Sequence, residues 1–205
     1  MNTHITHKKG FTLVELLVTM GIFSILSLGI SWVFITSLRT NDVIWKQLST
    51  QSDARKVLQE VKDSLRKAEQ SDLGAYPIMA ASSTGIIFFS NIDEDTNRER
   101  IRIWLSGTTI YRGIIHPSGN PLAYNGQEEA ITEIAHYVIN TAGGTPLFSY
   151  YNNTYTGEED PLEEPLDLTE IRAIRIQLDV EENPGKSPVP FHAESLVHVR
   201  NLKDN

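Results

Sequence analysis

The sequence predicts an α+β protein in which one long N-terminal helix packs on an antiparallel β-sheet. Residues 11–38 form an apolar run in which Glu15 is the single charge. At about 1.5 Å per residue, this run is long enough to cross a membrane core of about 30 Å. Apolar residues then recur at every third or fourth position up to about Asp72, which predicts that the helix continues. After Pro77 they alternate with polar residues, as is typical of β-strands.

Composition limits the chain of 205 residues to one membrane segment and one modest domain. The formal net charge of −8 argues against binding to a nucleic acid backbone, which usually requires a basic surface. The absence of cysteine excludes disulfides, zinc–thiolate sites and thiol catalysis. The 6 histidines have no paired catalytic spacing and no Gly-x-Ser-x-Gly elbow occurs, so we expect a structural protein rather than an enzyme.

The helix is predicted from about Phe11 to about Asp72. Gly74 and Pro77 supply the stop signals, and charged residues fill the positions between the apolar ones, as in an amphipathic helix. The apolar face predicted to lie on the folded domain consists of Ile44, Leu48, Ala54, Leu58, Val61, Leu65 and Ala68.

Five segments after Pro77 are predicted as strands. Residues 85–89 form a short apolar run, and residues 101–105 alternate before a hairpin turn at Ser106 and Gly107 that leads into residues 108–112. Residues 174–180 alternate in the same way, and residues 195–202 supply a last strand. Two segments rich in proline, glycine, asparagine and acidic residues, 116–127 and 152–168, are predicted loops.

The start of the apolar run carries the most specific motif. The stretch KKGFTLVE, from Lys8 to Glu15, closely resembles the cleavage and methylation signal of type IV prepilins and type II secretion pseudopilins. The resemblance implies that a prepilin peptidase cuts after Gly10 and that Phe11 becomes the N-methylated N-terminus. It also implies a pilin-like lollipop fold, with Glu15 setting register by pairing with the amine of a neighbouring subunit.

An ordinary signal anchor is the alternative, with the Glu15 side chain reaching to the membrane interface. Lys8 and Lys9 precede the run, so the positive-inside rule predicts a cytoplasmic N-terminus and a C-terminal domain outside the cytoplasmic membrane. The predicted organisation is a cleaved leader at 1–10, a transmembrane and filament-core helix at 11–38, and an extracytoplasmic head at 39–205.

Within the family, the long head and the Arg200–Asn201 ending resemble the minor J-type pseudopilins and W-type minor pilins. Such subunits are thought to sit in a tip or initiation complex. The implied partners are the prepilin peptidase, other pilins or pseudopilins in a filament, and an inner-membrane assembly platform. A major subunit is one alternative. Another is a binding module at a pilus tip, for a surface, DNA or calcium.

Two head segments are candidate ligand sites. Four oxygen-bearing side chains alternate like the first half of an EF-hand loop, although the glycine and bidentate acid of that loop are replaced by Thr96 and Arg102. A solvated acidic turn is the simpler interpretation, as it is for the acidic cluster at 158–164. The calcium candidates are Asn91, Asp93, Asp95 and Asn97.

A basic stripe with neighbouring aromatic rings is the candidate DNA surface, because bases stack on exposed rings. The simpler interpretation pairs its arginines across strands with Asp179 and Glu181. The residues of this candidate are Arg172, Arg175, Arg200, Tyr150 and Tyr151.

Overall fold

The computed structural model describes residues 10–93, 95–182 and 190–202. Its first element is the helix α1, Leu13–Arg66, which has 54 residues. The chain divides inside this helix into two compact units, Met1–Trp45 and Lys46–Asn205. A long N-terminal apolar helix followed by antiparallel β-structure confirms the predicted α+β, pilin-like fold class.

The described part of the first unit consists of a short start at residues 10–12 and the N-terminal portion of α1. Leu13–Leu38, 26 residues, is long and apolar enough to cross a membrane, and none of its side chains is buried. A continuous apolar surface of this length requires lipid or other protein chains around it. The partners that bury this apolar run therefore lie outside this chain.

The second unit contains a five-stranded antiparallel sheet whose strands are neighbours in chain order. The predicted hairpin is confirmed, because Ser106 pairs with Thr109 across a turn in which Gly107 has a φ of +60°. The strands are β1 Ile78–Ser82, β2 Gly85–Ser90, β3 Glu99–Ser106, β4 Thr109–Ile115 and β5 Ala130–Ala135.

A second, three-stranded antiparallel sheet follows, in the order β6-β7-β8. Its strands are β6 Phe148–Tyr151, β7 Ala173–Val180 and β8 Phe191–His198. A one-turn helix, α2 at Asn140–Gly143, lies beside the same edge of β7 that pairs with β6. The side-chain amide of Asn140 donates to the carbonyl of Gln177 at 2.9 Å, and its oxygen accepts the N–H of Asp179 at 2.9 Å.

The last strand was predicted at residues 195–202, but strand β8 begins and ends earlier in the chain. Strand β8 ends at His198, and Arg200–Leu202 form a 3₁₀ turn instead of continuing the strand to residue 202. Leu202 is buried in the core, so this turn brings residue 202 back to the domain interior. Of the two predicted loops, 152–168 contains no helix or strand and 116–127 contains only the bridge between Ser118 and Ala123 and the start of a 3₁₀ turn.

The core of the second unit lies between α1 and the strands. Ala54, Val57, Val61 and Leu65 are buried along one helix face and belong to one apolar cluster with residues of both sheets. The predicted helix face is confirmed from Ala54 onward. Two predicted members of that face are exposed instead, Ile44 in the first unit and Leu48 in the second.

The helix ends at Arg66, before the predicted Asp72. The Ala68 N–H still donates to the carbonyl of Leu65, at 3.1 Å, but the Glu69 N–H donates to Phe89 at the end of β2, at 2.9 Å. The Ala68 carbonyl accepts the side-chain amide of Asn201 at 3.0 Å. Tertiary hydrogen bonds to β2 and to the C-terminal turn therefore replace the next helical turn, which the local sequence does not reveal.

Candidate functional site

The start of α1 is a reciprocal capping box. Glu15 Oε2 accepts the backbone N–H of Thr12 at 2.9 Å and its hydroxyl, also at 2.9 Å. The Glu15 N–H donates back to Thr12 Oγ1 at 3.3 Å. These bonds provide acceptors for backbone N–H groups at the start of the helix, which have no carbonyl of a preceding turn to donate to. The Thr-x-x-Glu spacing is a readable capping signal, and the sequence interpretation of Glu15 missed it.

The capping box leaves part of the Glu15 carboxylate available. Both accepted hydrogen bonds go to Oε2, and among the described residues Oε1 accepts none. The side chain is exposed, as are its apolar neighbours. A carboxylate held in a fixed rotamer beside the helix N-terminus can therefore bind a cation supplied by another molecule.

Gly10 and Phe11 lie just before the helix, and both are exposed. A Cβ added at Gly10 would meet no atom within 4 Å, and Gly10 has no positive φ that would require glycine. Phe11 is 79% exposed and is absent from the core. The described fold therefore requires neither residue.

An exposed helix of membrane-spanning length ahead of an α+β domain supports a membrane-anchored protein, with one candidate span among the described residues. Residues 5–31 match a family model described as the prokaryotic N-terminal methylation motif, and this match includes Gly10, Phe11 and Glu15. Helix and motif together support a membrane-anchored structural subunit of the type IV pilin and pseudopilin class. A comparison with curated proteins finds no match.

The four calcium candidates lie in the connection between β2 and β3. All four take part in hydrogen bonds within the turn: the Asn91 amide donates to the carbonyl of Asp95 at 2.6 Å, the Asp95 N–H donates to Asp93 Oδ1 at 3.4 Å, and the Asn97 N–H donates to Asp95 Oδ1 at 2.6 Å. Asp93 also lies beside Glu99 and His116, which the sequence did not associate with it. Calcium binding at the four candidates stays a prediction.

The candidate DNA surface lacks the expected stacking rings. Tyr150 and Tyr151 are each only 2% exposed, so neither presents a face to a base. The Tyr150 hydroxyl donates to the carbonyl of Ser82 at 2.9 Å, and burial raises its pKa above the ordinary tyrosine value. Both side chains belong to the interior of the head.

Arg175 also differs from its predicted role. Its guanidinium lies 5.0 Å from the Tyr151 ring centre and 5.8 Å from that of Tyr155, and it hydrogen-bonds to the Tyr155 hydroxyl. The predicted cross-strand acid Asp179 instead contacts His192 Nδ1 at 2.5 Å. Arg175 therefore stacks within the chain, which a strand pattern cannot reveal because Tyr155 comes from a loop.

The acidic cluster at 158–164 is internally organised. Glu159 accepts the hydroxyl and the N–H of Thr156, each at 2.7 Å, and the N–H of Gly157 at 3.1 Å. The Thr156 hydroxyl and these backbone donors lower the pKa of Glu159 to about 2. Glu164 accepts the N–H of Ser83 at 2.9 Å, which ties the loop to the turn between β1 and β2. These contacts fit the solvated-loop interpretation.

Proposed function

We propose that this chain is a structural subunit of a type IV pilus or type II secretion pseudopilus, and that it is a minor subunit of the J or W type. A prepilin peptidase cuts between Gly10 and Phe11, and Phe11 becomes the methylated N-terminus. Residues 11–38 then form the filament core, with the head outside the cytoplasmic membrane. The coincidence of the methylation motif with an unburied apolar helix carries this proposal.

The absence of any structural need for glycine at position 10 supports the processing step. A Cβ there would lie in open space, so selection of glycine by the fold is not the explanation. A peptidase that must accommodate the backbone on the N-terminal side of the cut explains it, because glycine permits the closest approach of a second chain.

The geometry at Glu15 supports a role in register. After cleavage, the Phe11 amine is a cation beside a membrane boundary, and an anion from a neighbouring subunit offsets its desolvation. Glu15 offers Oε1 for that contact, since the capping bonds to Thr12 go to Oε2. Helix capping and intersubunit pairing are therefore compatible in one carboxylate.

Intact-mass measurement of the chain expressed with and without a prepilin peptidase tests the processing step. Loss of residues 1–10, with a methyl group added to Phe11, is the expected product. The Gly10→Ala variant is the matched control, and it should keep the leader without a change in the thermal stability of the head. A chain that keeps its leader in the presence of active peptidase would leave a signal anchor as the explanation.

The minor role is tested by stoichiometry. Sheared filaments from a reconstituted assembly system, digested and quantified by mass spectrometry, should contain far fewer copies of this chain than of the major subunit. Omitting the chain should reduce the number of filaments rather than their composition, because initiation precedes elongation. Equal copy numbers would assign it as a major subunit.

A further inference from the structure

A buried carboxylate in the head has an unusual environment. The Glu99 side chain, at the start of β3, is fully buried. Its Oε2 accepts the N–H of Ile92 at 3.0 Å, but Oε1 accepts no hydrogen bond from the described residues. A buried carboxylate oxygen without a hydrogen-bond donor is costly, so a cation is expected beside it.

Two further ligand groups face this oxygen. His116 Nδ1 lies 3.5 Å from Glu99 Oε1 and 3.9 Å from Asp93 Oδ2. One potential ligand atom from each residue lies within 4.8 Å of the other two. Around a tetrahedral metal with bonds of about 2.0–2.2 Å, neighbouring ligand atoms are about 3.3–3.6 Å apart. The two distances from His116 Nδ1, 3.5 and 3.9 Å, are close to that spacing, and the two carboxylate oxygens lie within 4.8 Å of each other.

We propose that Asp93, Glu99 and His116 form a zinc-type metal site, with water completing the coordination. One imidazole nitrogen and two carboxylate oxygens suit Zn²⁺ and similar first-row divalent ions. Ca²⁺ and Mg²⁺ prefer oxygen ligands alone, so the imidazole argues against both. This site shares Asp93 with the predicted calcium candidates but differs from them in its other two ligands, Glu99 and His116.

The positions of the ligands would let an ion enter from solvent and link two segments of the head. Glu99 is buried, whereas His116 and Asp93 are exposed over 60% and 45% of their side chains, so an ion can enter from solvent and both can adjust. Asp93 belongs to the connection between β2 and β3, Glu99 begins β3 and His116 follows β4. The ion would fasten this connection to the β3–β4 hairpin.

The test uses the full chain in detergent micelles, without an affinity tag and stripped with chelator. His4 and His7 are replaced by serine in every version, because they are further imidazole ligands. Isothermal titration with ZnCl₂ should give one saturable site per chain, whereas CaCl₂ and MgCl₂ should give none. Zinc at about 100 times its dissociation constant should raise the Tm by roughly 5–10 °C.

His116→Gln should weaken zinc binding at least tenfold and abolish the Tm increase. His136→Gln is the matched control, because His136 is also exposed beside one acid, Glu133, at 3.7 Å, and lies outside the group. It should bind zinc like the parent. Asp93→Asn supplies a second exposed variant that does not depend on how Glu99→Gln folds.

Co²⁺ in place of zinc should give the visible absorption of a four-coordinate ion, lost in His116→Gln. Three results would overturn the site: no saturable zinc binding, zinc binding that survives His116→Gln, or an equal Tm increase with calcium. If His116→Gln lowers the Tm of the metal-free chain and zinc has no effect on either version, His116 and Glu99 form an ion pair and the metal site is excluded.

Discussion

The two units of the chain use apolar residues in opposite ways. In Leu13–Leu38 no side chain is buried, and large apolar residues such as Phe23 and Trp32 face outward. In the second unit, Ile103 and Ile174 are almost fully enclosed by other residues of the head. The hydrophobic effect therefore stabilises the head within one chain, whereas the N-terminal run gains that stabilisation only from lipid or from other chains.

The two units therefore differ in what their residues contribute to the fold. The described fold does not require Gly10, and it uses Glu15 only to cap the start of α1. A residue of the head such as Leu65 is selected by packing. Variants in the first unit should therefore change processing and assembly, and variants in the head should change stability.

The largest expected effect separates the charge of Glu15 from its capping role. Glu15→Gln preserves a capping acceptor but removes the charge, and it should lower incorporation into filaments by more than about a hundredfold, since a buried ion pair that loses one partner costs about 3–5 kcal/mol. Thr12→Val removes the cap and keeps the charge, and it should lower incorporation by about fivefold, from about 1 kcal/mol of lost capping. The measurement is the fraction of each variant in sheared filaments.

Processing and head stability serve as controls for both variants and should match the parent. Equal losses for Glu15→Gln and Thr12→Val would assign Glu15 to helix capping alone.

The same substitution in each unit provides the next test. Leu65→Ala removes a fully buried side chain and should lower the free energy of unfolding of the head by about 2–5 kcal/mol. Leu26→Ala, at an exposed position in the apolar run, should leave that free energy unchanged. Denaturant unfolding of the full chain in micelles, followed by the near-ultraviolet signal of the head, measures both. A large loss with Leu26→Ala would show that the head depends on the run.

A smaller effect is expected at the ion pair between Arg102 and Glu129. Glu129 accepts the Arg102 Nε–H at 2.9 Å and an Nη2–H at 2.7 Å, and a Cβ at Gly113 would lie 2.2 Å from Glu129 Oε1. Glu129→Ala and Gly113→Ala should each cost about 1–2 kcal/mol, because Arg102 is partly exposed.

The double variant decides whether the two changes act on one contact. If Gly113→Ala acts by displacing Glu129, its cost should largely disappear when Glu129 is already alanine, so the two free energies should not add. Thermal unfolding of the four versions completes this cycle. Additive costs would mean that Gly113 is needed for a different reason.

The smallest effect concerns pH at the loop of Glu159. Its folded pKa of about 2 lies below the ordinary value of 4.5, so its hydrogen bonds stabilise the loop above about pH 4.5 and are lost as the pH falls through 2. Thr156→Val removes the hydroxyl donor, so it should raise this pKa toward 4.5 and slightly reduce the stability of the loop at pH 7. A carboxyl titration by NMR measures the pKa, and an unchanged value would contradict the role of the hydroxyl.

Local patterns predicted much of the fold, and tertiary contacts decided the remainder. The long helix, the β3–β4 hairpin and β7 carry strong periodic signals and are confirmed. Three strands were missed. Strand β1, IMAAS, is rich in alanine, β6, FSYY, is buried at every residue and so has no alternation, and β5 is an edge strand with mostly exposed residues.

The candidate sites show the same division. The processing motif at Gly10, Phe11 and Glu15 is contiguous and therefore readable. The group containing Glu99 and His116 depends on strand register, although the predicted turn at Gly107 contained the information. Arg100 pairs with Ile115 in that hairpin, and one step further the register places Glu99 opposite His116. Burial of Glu99 could not be read from the sequence, because it depends on packing from other elements.

The hydrogen bond from Asn201 to Ala68 has a consequence for the timing of folding. Its partners are 133 residues apart, and the core contains both Ala54 and Leu202. Synthesis at about 5–20 residues per second would separate the two ends of this contact by roughly 7–27 s. The Ala68 carbonyl and the part of the core that Leu202 completes therefore lack these partners until residues 201 and 202 have been synthesised, whereas the earlier strands can already cover much of the buried face of α1.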